Sequence, residues 1–156
     1  MAPKDATYAY SVLIQPTAEE LAAAQKDPGY SILRRDRQAH IVFDRASGVT
    51  GYAAFEAVSL PEDEIVADIA PETMVMHRTA EDGTLIVSVC DPNLHIKEKT
   101  YTTPEPSAPS FKTLHLRGAW SLAVSNEKVK VQLTGDVTEI TVTCRHGQPV
   151  EFRLKQ

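Results

Sequence analysis

In the last third of the chain, apolar and polar residues alternate one by one. Val129, Val131 and Leu133 are interleaved with Lys128, Lys130 and Gln132, and Ile140, Val142 and Cys144 with Thr141, Thr143 and Arg145. Val150, Phe152 and Leu154 alternate with Glu151, Arg153 and Lys155. On an extended backbone successive side chains point to opposite faces, so this period of two predicts strands with one dry face and one wet face. The pattern recurs upstream. Tyr8, Tyr10, Val12 and Ile14 share a face of a first strand until Pro16 stops it. A short strand is predicted over 30–33, and in the next Ala39, Ile41 and Phe43 oppose His40, Val42 and Asp44. Further strands are predicted over 49–58, 65–69 and 74–79, and Leu114 and Leu116 point inward from another. Residues 85–90 are apolar on both faces, as expected of a strand covered by its neighbours.

The punctuation fits this reading. Thr17-Ala18-Glu19-Glu20 has the spacing of a capping box, Leu21 to Ala24 favour helix, and Asp27-Pro28-Gly29 ends it, which predicts one helix of about two turns. Ala46-Ser47-Gly48 is a turn, and Asp82-Gly83 is a hairpin signal of the type I′ kind, which requires two residues tolerant of positive φ. Gly118-Ala119-Trp120 begins a turn, while Thr134-Gly135-Asp136 and His146-Gly147 close the final hairpins. Pro104, Pro106 and Pro109 exclude 102–110 from strand pairing and predict an extended surface loop. About ten short strands with turns every 8–12 residues predict an all-β fold, an antiparallel two-sheet β-sandwich with one short helix near the N-terminus.

A chain of 156 residues is one domain, 1–156, and buries roughly 70% of its unfolded surface. The hydrophobic fraction of 42% and charged fraction of 24% are those of a globular protein. A net charge of −5 gives no overall pull on nucleic acid, so none is expected as a partner. No apolar run approaches the ~20 residues of a membrane span, so no membrane partner is expected either. Residues 1–5 lack the charged and apolar regions of a secretory signal; either the protein is cytosolic or this chain begins downstream of its native start. Cys90 and Cys144 are predicted to be buried free thiols, free cysteine being among the most buried residue types. A disulfide would need their Cα atoms within about 7 Å, which spacing alone leaves open.

Nothing in the chain assembles a reacting site. The five histidines, His40, His77, His95, His115 and His146, are scattered singly, with no metal-ligand spacing, and neither cysteine has a second one nearby. No Gly-x-Ser-x-Gly elbow, glycine-rich phosphate loop or Cys-His signature is present. No catalytic residue, metal ligand or cofactor is therefore assigned. Glu62-Asp63-Glu64 could suggest calcium, but adjacent carboxylates do not converge on six to eight oxygens, and a solvated loop explains them better. Arg34, Arg35 and Arg37 form the one dense basic group. They could grip carboxylates or sulfates with forked hydrogen bonds, and are the candidate carbohydrate-binding residues. The plainer reading is the exposed tip of a hairpin, balanced by Asp36 and Asp44. Trp120, Tyr8, Tyr10, Tyr30, Tyr52 and Tyr101 could stack on sugars, yet aromatics are 6% of the chain and core packing accounts for Tyr8 and Tyr10.

The order of residues from Tyr30 onward is familiar. Tyr30-Ser31-Ile32-Leu33-Arg34-Arg35-Asp36, then His40-Ile41-Val42-Phe43-Asp44, then Val49-Thr50-Gly51-Tyr52-Ala53 resembles the carboxy-terminal domain of bacterial chondroitin sulfate ABC lyases, which belong to polysaccharide lyase family eight with the hyaluronate lyases. Ala2-Pro3-Lys4-Asp5-Ala6 with Tyr8-Ala9-Tyr10 resembles the junction where that domain leaves the central sandwich. Leu85-Ile86-Val87-Ser88, Pro92, Leu94, Gly118, Trp120 and Thr134-Gly135-Asp136 extend the likeness over essentially the whole chain. The resemblance implies the last domain of a larger extracellular or periplasmic enzyme that degrades chondroitin and dermatan sulfates by β-elimination. In that reaction a base removes the C5 proton of the uronate, the carboxylate is neutralised, and the 4-linked sugar leaves. The family's catalytic residues lie in upstream domains and none maps here; Tyr8, His40 and Arg34 share only residue types with them. The expected role is thus non-catalytic support of the central domain and substrate cleft, with the upstream domains of the same polypeptide as partners. The alternatives are a glycosaminoglycan-binding module and a free-standing assembly domain.

Overall fold

The computed structural model describes residues 12–93 and 108–156. Its strands, labelled in chain order, form two antiparallel sheets. The larger runs β1 (Tyr30–Arg35), β2 (Ala39–Asp44), β3 (Val49–Ala54), β6 (Thr73–Thr79), β7 (Leu85–Cys90), β12 (Val150–Lys155) and β9 (Ser121–Leu122). The smaller runs β10 (Val129–Thr134), β11 (Val137–Cys144), β8 (Ser110–Arg117), β5 (Val66–Ile69) and β4 (Val58–Ser59). The expected sandwich is what forms, with twelve strands rather than about ten because β4 and β9 are two-residue pieces.

The period of two becomes the core directly. In β11 every second residue is buried, Thr138, Ile140, Val142 and Cys144, and in β12 Val150, Phe152 and Leu154. In β7 Leu85, Val87 and Val89 are buried while Ile86, Ser88 and Cys90 on the other face are half-buried. Ile69, Leu114, Leu116 and Ile140 from the smaller sheet complete one continuous core with Val75, Leu85 and Leu154 from the larger. Each fully buried side chain of this size contributes about 1.5–3 kcal/mol over leaving it in water.

The structure departs from expectation at several points. Of the first predicted strand, 8–11 lie outside the described residues, and Val12 and Ile14 belong to no strand and are 79% and 90% exposed. The strand predicted over 49–58 breaks after Ala54. Phe55 N and Glu56 N both donate to Gln38 O, at 2.8 and 3.3 Å, and the chain then crosses to the smaller sheet as β4. The Asp82-Gly83 turn is not type I′. Only Gly83 has positive φ, 80°, and Gly83 N donates to Ala80 O at 3.0 Å, which makes a three-residue loop with glycine at the left-handed position. The two successive positive φ values occur instead at His146 and Gly147, 57° and 65°, between the paired Arg145 and Gln148. The predicted proline-rich loop lies largely outside the described residues; Ser110 already opens β8.

The one helix among the described residues, α1 (Ala18–Lys26), has its capping box complete: Glu20 N donates to Thr17 Oγ1 at 3.2 Å and Thr17 N to Glu20 Oε2 at 2.8 Å. It buries no residue. Among the described residues no helix is long and apolar enough to cross a membrane.

Truncating a core side chain should show where stability resides. Leu114→Ala is expected to lower the unfolding free energy by about 2–5 kcal/mol in chemical denaturation. Phe111→Ala, on the exposed face of the same strand β8, should stay within about 0.5 kcal/mol of the parent.

Candidate functional site

The three arginines do not act as one group. Arg34 sits after a bulge in β1 and is half-buried. Its Nε donates to Asp36 Oδ2 at 2.6 Å, Nη2 to Gln38 Oε1 at 2.7 Å and Nη1 to Ser59 O, in the other sheet, at 3.4 Å. Asp36 in turn accepts from Gln38 N and Ala39 N at 2.8 and 2.9 Å. The Ala39 amide and the Arg34 guanidinium hold the Asp36 carboxyl below its ordinary pKa. Arg34 is therefore a clasp on the turn, whereas Arg35, opposite His40, and Arg37 are exposed. Trp120 is half-buried against the core and donates through Nε1 to Arg117 O at 2.8 Å, which makes it a packing residue.

The acidic run 62–64 is not a uniformly solvated loop. Asp63 Oδ1 accepts from the amides of Ile65 and Val66 at 2.9 and 2.7 Å, and Oδ2 accepts from the Tyr52 hydroxyl at 2.6 Å. Tyr52 Oη lies 2.9 Å from His77 Nε2, with the rings stacked 5.5 Å apart. Because the one phenolic proton goes to Asp63, the imidazole donates from Nε2, and His77 Nδ1 is left buried without a hydrogen bond. Burial pushes the Tyr52 phenol up, reinforced by Asp63. Burial pushes His77 down, against the attraction of Asp63. Both are shielded, and the trio fastens the 60–65 loop to the larger sheet. Arg117 fixes the same loop from the smaller sheet, donating to Asp63 O and Leu60 O at 2.8 Å each. Nothing in the spacing of positions 52, 63 and 77 announces this meeting; it follows from the crossing of the chain at β4.

On the outer face of the smaller sheet, register sets Asp68, His115 and Glu139 side by side. His115 Nδ1 donates to Asp68 Oδ1 at 2.6 Å and Nε2 to Glu139 Oε2 at 3.3 Å. A histidine that donates from both nitrogens is an imidazolium. Partial burial opposes its charge, but the hydrogen bonds and charges of Asp68 and Glu139 outweigh that and raise its pKa. His115 and Asp68 border an open cavity of about 410 Å³, with Ser59, Ile69 and Thr113. As a general base for C–H abstraction His115 is poorly placed, because both of its ring nitrogens are already paired with carboxylates.

Lys112 and Asp91 form the buried ion pair, Nζ to Oδ2 at 3.3 Å, with Ser110 Oγ donating to the same oxygen at 2.6 Å. Cys144 is buried beside this cluster and free; Cys90 is free but half-buried, on the outer face of β7 with Ile86 and Ser88, so the expectation of two buried thiols holds for Cys144 only. Burial raises the pKa of both thiols. Among the described residues no group of three or more His, Cys, Asp or Glu is arranged to hold a metal ion.

The two stacked antiparallel sheets share the fold of one part of a Paenibacillus xanthan lyase, which overlays 91% of the chain with a TM-score of 0.64 at 15% identity, using 12% of that longer chain. Sequence says more. The chain is homologous to one region of the chondroitin sulfate ABC lyases. It is 36% identical over 97% of its length to the chondroitin sulfate ABC endolyase of Proteus vulgaris, and 24% identical over 99% to the chondroitin sulfate ABC exolyase of Bacteroides thetaiotaomicron. It spans 15% and 17% of those two proteins. No protein-family model matches it.

The His115 cluster has a pH signature. A histidine whose folded pKa is raised contributes stability that is fully present below its unfolded pKa, near 6.5, and is lost as pH rises through the folded value. The stability difference between the parent and His115→Gln, measured by urea denaturation across that range, should be largest at the acid side and shrink towards alkaline pH. A difference that grows with pH contradicts the imidazolium.

Proposed function

We propose that the chain is a non-catalytic, carboxy-terminal β-sandwich domain of a lyase that degrades chondroitin and dermatan sulfates, supporting the central domain and substrate cleft. Its parent works outside the cytoplasm, where such polymers are met. The observation that carries this reading is the alignment itself: nearly the whole chain matches, at 36% identity, a stretch amounting to 15% of an endolyase. The chemistry agrees. β-Elimination from a uronate needs a neutral base within reach of the C5 proton and a group that neutralises the carboxylate. The described clusters offer a shielded Tyr52–His77 pair and a His115 whose two nitrogens are taken by Asp68 and Glu139. Incubated with chondroitin sulfate, the 156-residue chain is expected to give no rise in the absorbance of unsaturated uronate. Sustained turnover would refute the reading.

A glycosaminoglycan-binding module is the second reading, favoured by the exposure of Arg35 and Arg37. It expects retention on a chondroitin sulfate column that weakens with salt and falls when Arg35 and Arg37 become alanine, with Arg34→Ala acting through the turn it clasps. Absence of retention at low salt removes it.

A further inference from the structure

The outward face of the larger sheet is not built for water. Register places Ile32, Val42, Gly51, Met76 and Ser88 in one row across β1, β2, β3, β6 and β7, and His40, Ala53, Met74 and Cys90 in the next. Ile32, Val42, Met74 and Met76 are 42%, 38%, 44% and 52% exposed. Phe55, 50% exposed, stands edge-on to the His40 ring with centroids 5.0 Å apart. Gly51 has no side chain in the middle of the first row, and the neighbouring Met76 side chain leans toward the space, its Cγ 3.9 Å from where a Cβ would stand. Directly before β1 comes α1, which buries no residue and leaves Leu21 44% exposed. A nine-residue helix that buries none of its residues is marginal in water even with a good cap. Its C-cap residue Asp27 is bonded to Arg45 in the β2–β3 turn, which fixes the helix end beside the sheet. Helix and sheet thus both carry exposed apolar side chains close to that turn.

We infer that this face, with α1 beside it, is the docking surface for another domain of the same lyase polypeptide. The inference rests on the reading that the chain is one domain of such a lyase. Two observations select a tethered domain over a second copy. The first is length: the chain spans only 15% and 17% of its relatives, which leaves most of such a polypeptide available as the cover. The second is size. With strands ~4.8 Å apart and alternate residues ~6.8 Å apart each position covers about 33 Å², so the nine positions of the two rows make a patch of roughly 290 Å². Free-standing complexes bury about 800 Å² per partner. A covalently linked domain needs less, because the linker holds it at a local concentration on the order of millimolar. The margin adds a preference in charge: Arg35, Arg78, Arg153 and Lys155 share this face against Asp44 and Glu151, so the covering surface has an apolar centre and an acidic border.

The test is hydroxyl-radical footprinting of the intact lyase polypeptide beside the 156-residue chain, read by peptide mass. Met74 and Met76 should oxidise at least about tenfold more slowly in the intact polypeptide, while Phe111 and Leu133 on the smaller sheet oxidise alike in both. Met76→Glu, on an exposed position, should return the Met74 rate in the intact polypeptide to that of the chain alone. Equal Met74 and Met76 rates in both molecules would overturn the inference, as would protection of Phe111 and Leu133 instead; either result leaves the lyase-domain reading standing. Protection that increases with the concentration of the 156-residue chain alone names a second copy as the occupant and overturns it too. A native product no longer than this chain would sink the lyase-domain reading and the inference together.

Discussion

Between the sheets, Val66, Leu85, Val89, Leu114, Ile140 and Leu154 lose contact with water almost completely, and every other feature is arranged around that contact. A period of two makes the requirement stringent. Sliding a strand by one residue would send Thr141 and Thr143 inward and Ile140 and Val142 outward, so register and core are one constraint. Among the described residues the side-chain polar groups that enter the sandwich are paired, apart from His77 Nδ1. Lys112 meets Asp91 where β7 ends and β8 begins, and Tyr52 meets Asp63 where the chain changes sheets. Buried charges of this kind are costly to leave alone, and removing one partner of such a pair typically costs about 3–5 kcal/mol. They add specificity to a fold whose stability comes from the apolar layer.

Much of this was legible in the residues. Alternation located β2, β6, β10, β11 and β12, an apolar run on both faces located β7, the capping box at Thr17 and Glu20 located α1, and His146-Gly147 located the last tight turn. What alternation does not encode is which sheet a strand joins. The stretch 49–58 reads as continuous, yet Gln38 O captures the amides of Phe55 and Glu56, ends β3 and sends Val58 across. The same long-range geometry hid the Tyr52–Asp63–His77 trio and the His115 cluster, whose members are far apart in sequence and meet only through register. It also divided Arg34, Arg35 and Arg37: the bulge after Ile32 turns Arg34 toward Asp36, Gln38 and Ser59 and leaves the other two in solvent. Val12 and Ile14 carry strand-like periodicity without a strand, because alternation predicts a dry face only where a neighbouring layer exists to make it dry.

The functional picture follows from the same economy of layers. Inner faces are committed to the core, and the ionisable residues that approach one another are tied into pairs or trios that fix loops and strands. The chain is homologous to one region of the chondroitin sulfate ABC lyases, and the half-covered face of the larger sheet is the surface we propose for docking the rest of such a polypeptide.

The central claim is that the apolar layer between the sheets is by itself sufficient to hold this chain in one folded state. Differential scanning calorimetry of the 156-residue chain tests it most directly. The account predicts a single transition whose calorimetric and van't Hoff enthalpies agree, at about 100 kcal/mol near 60 °C. A broad transition without a cooperative heat peak would show that the two sheets do not cohere alone, and would contradict it.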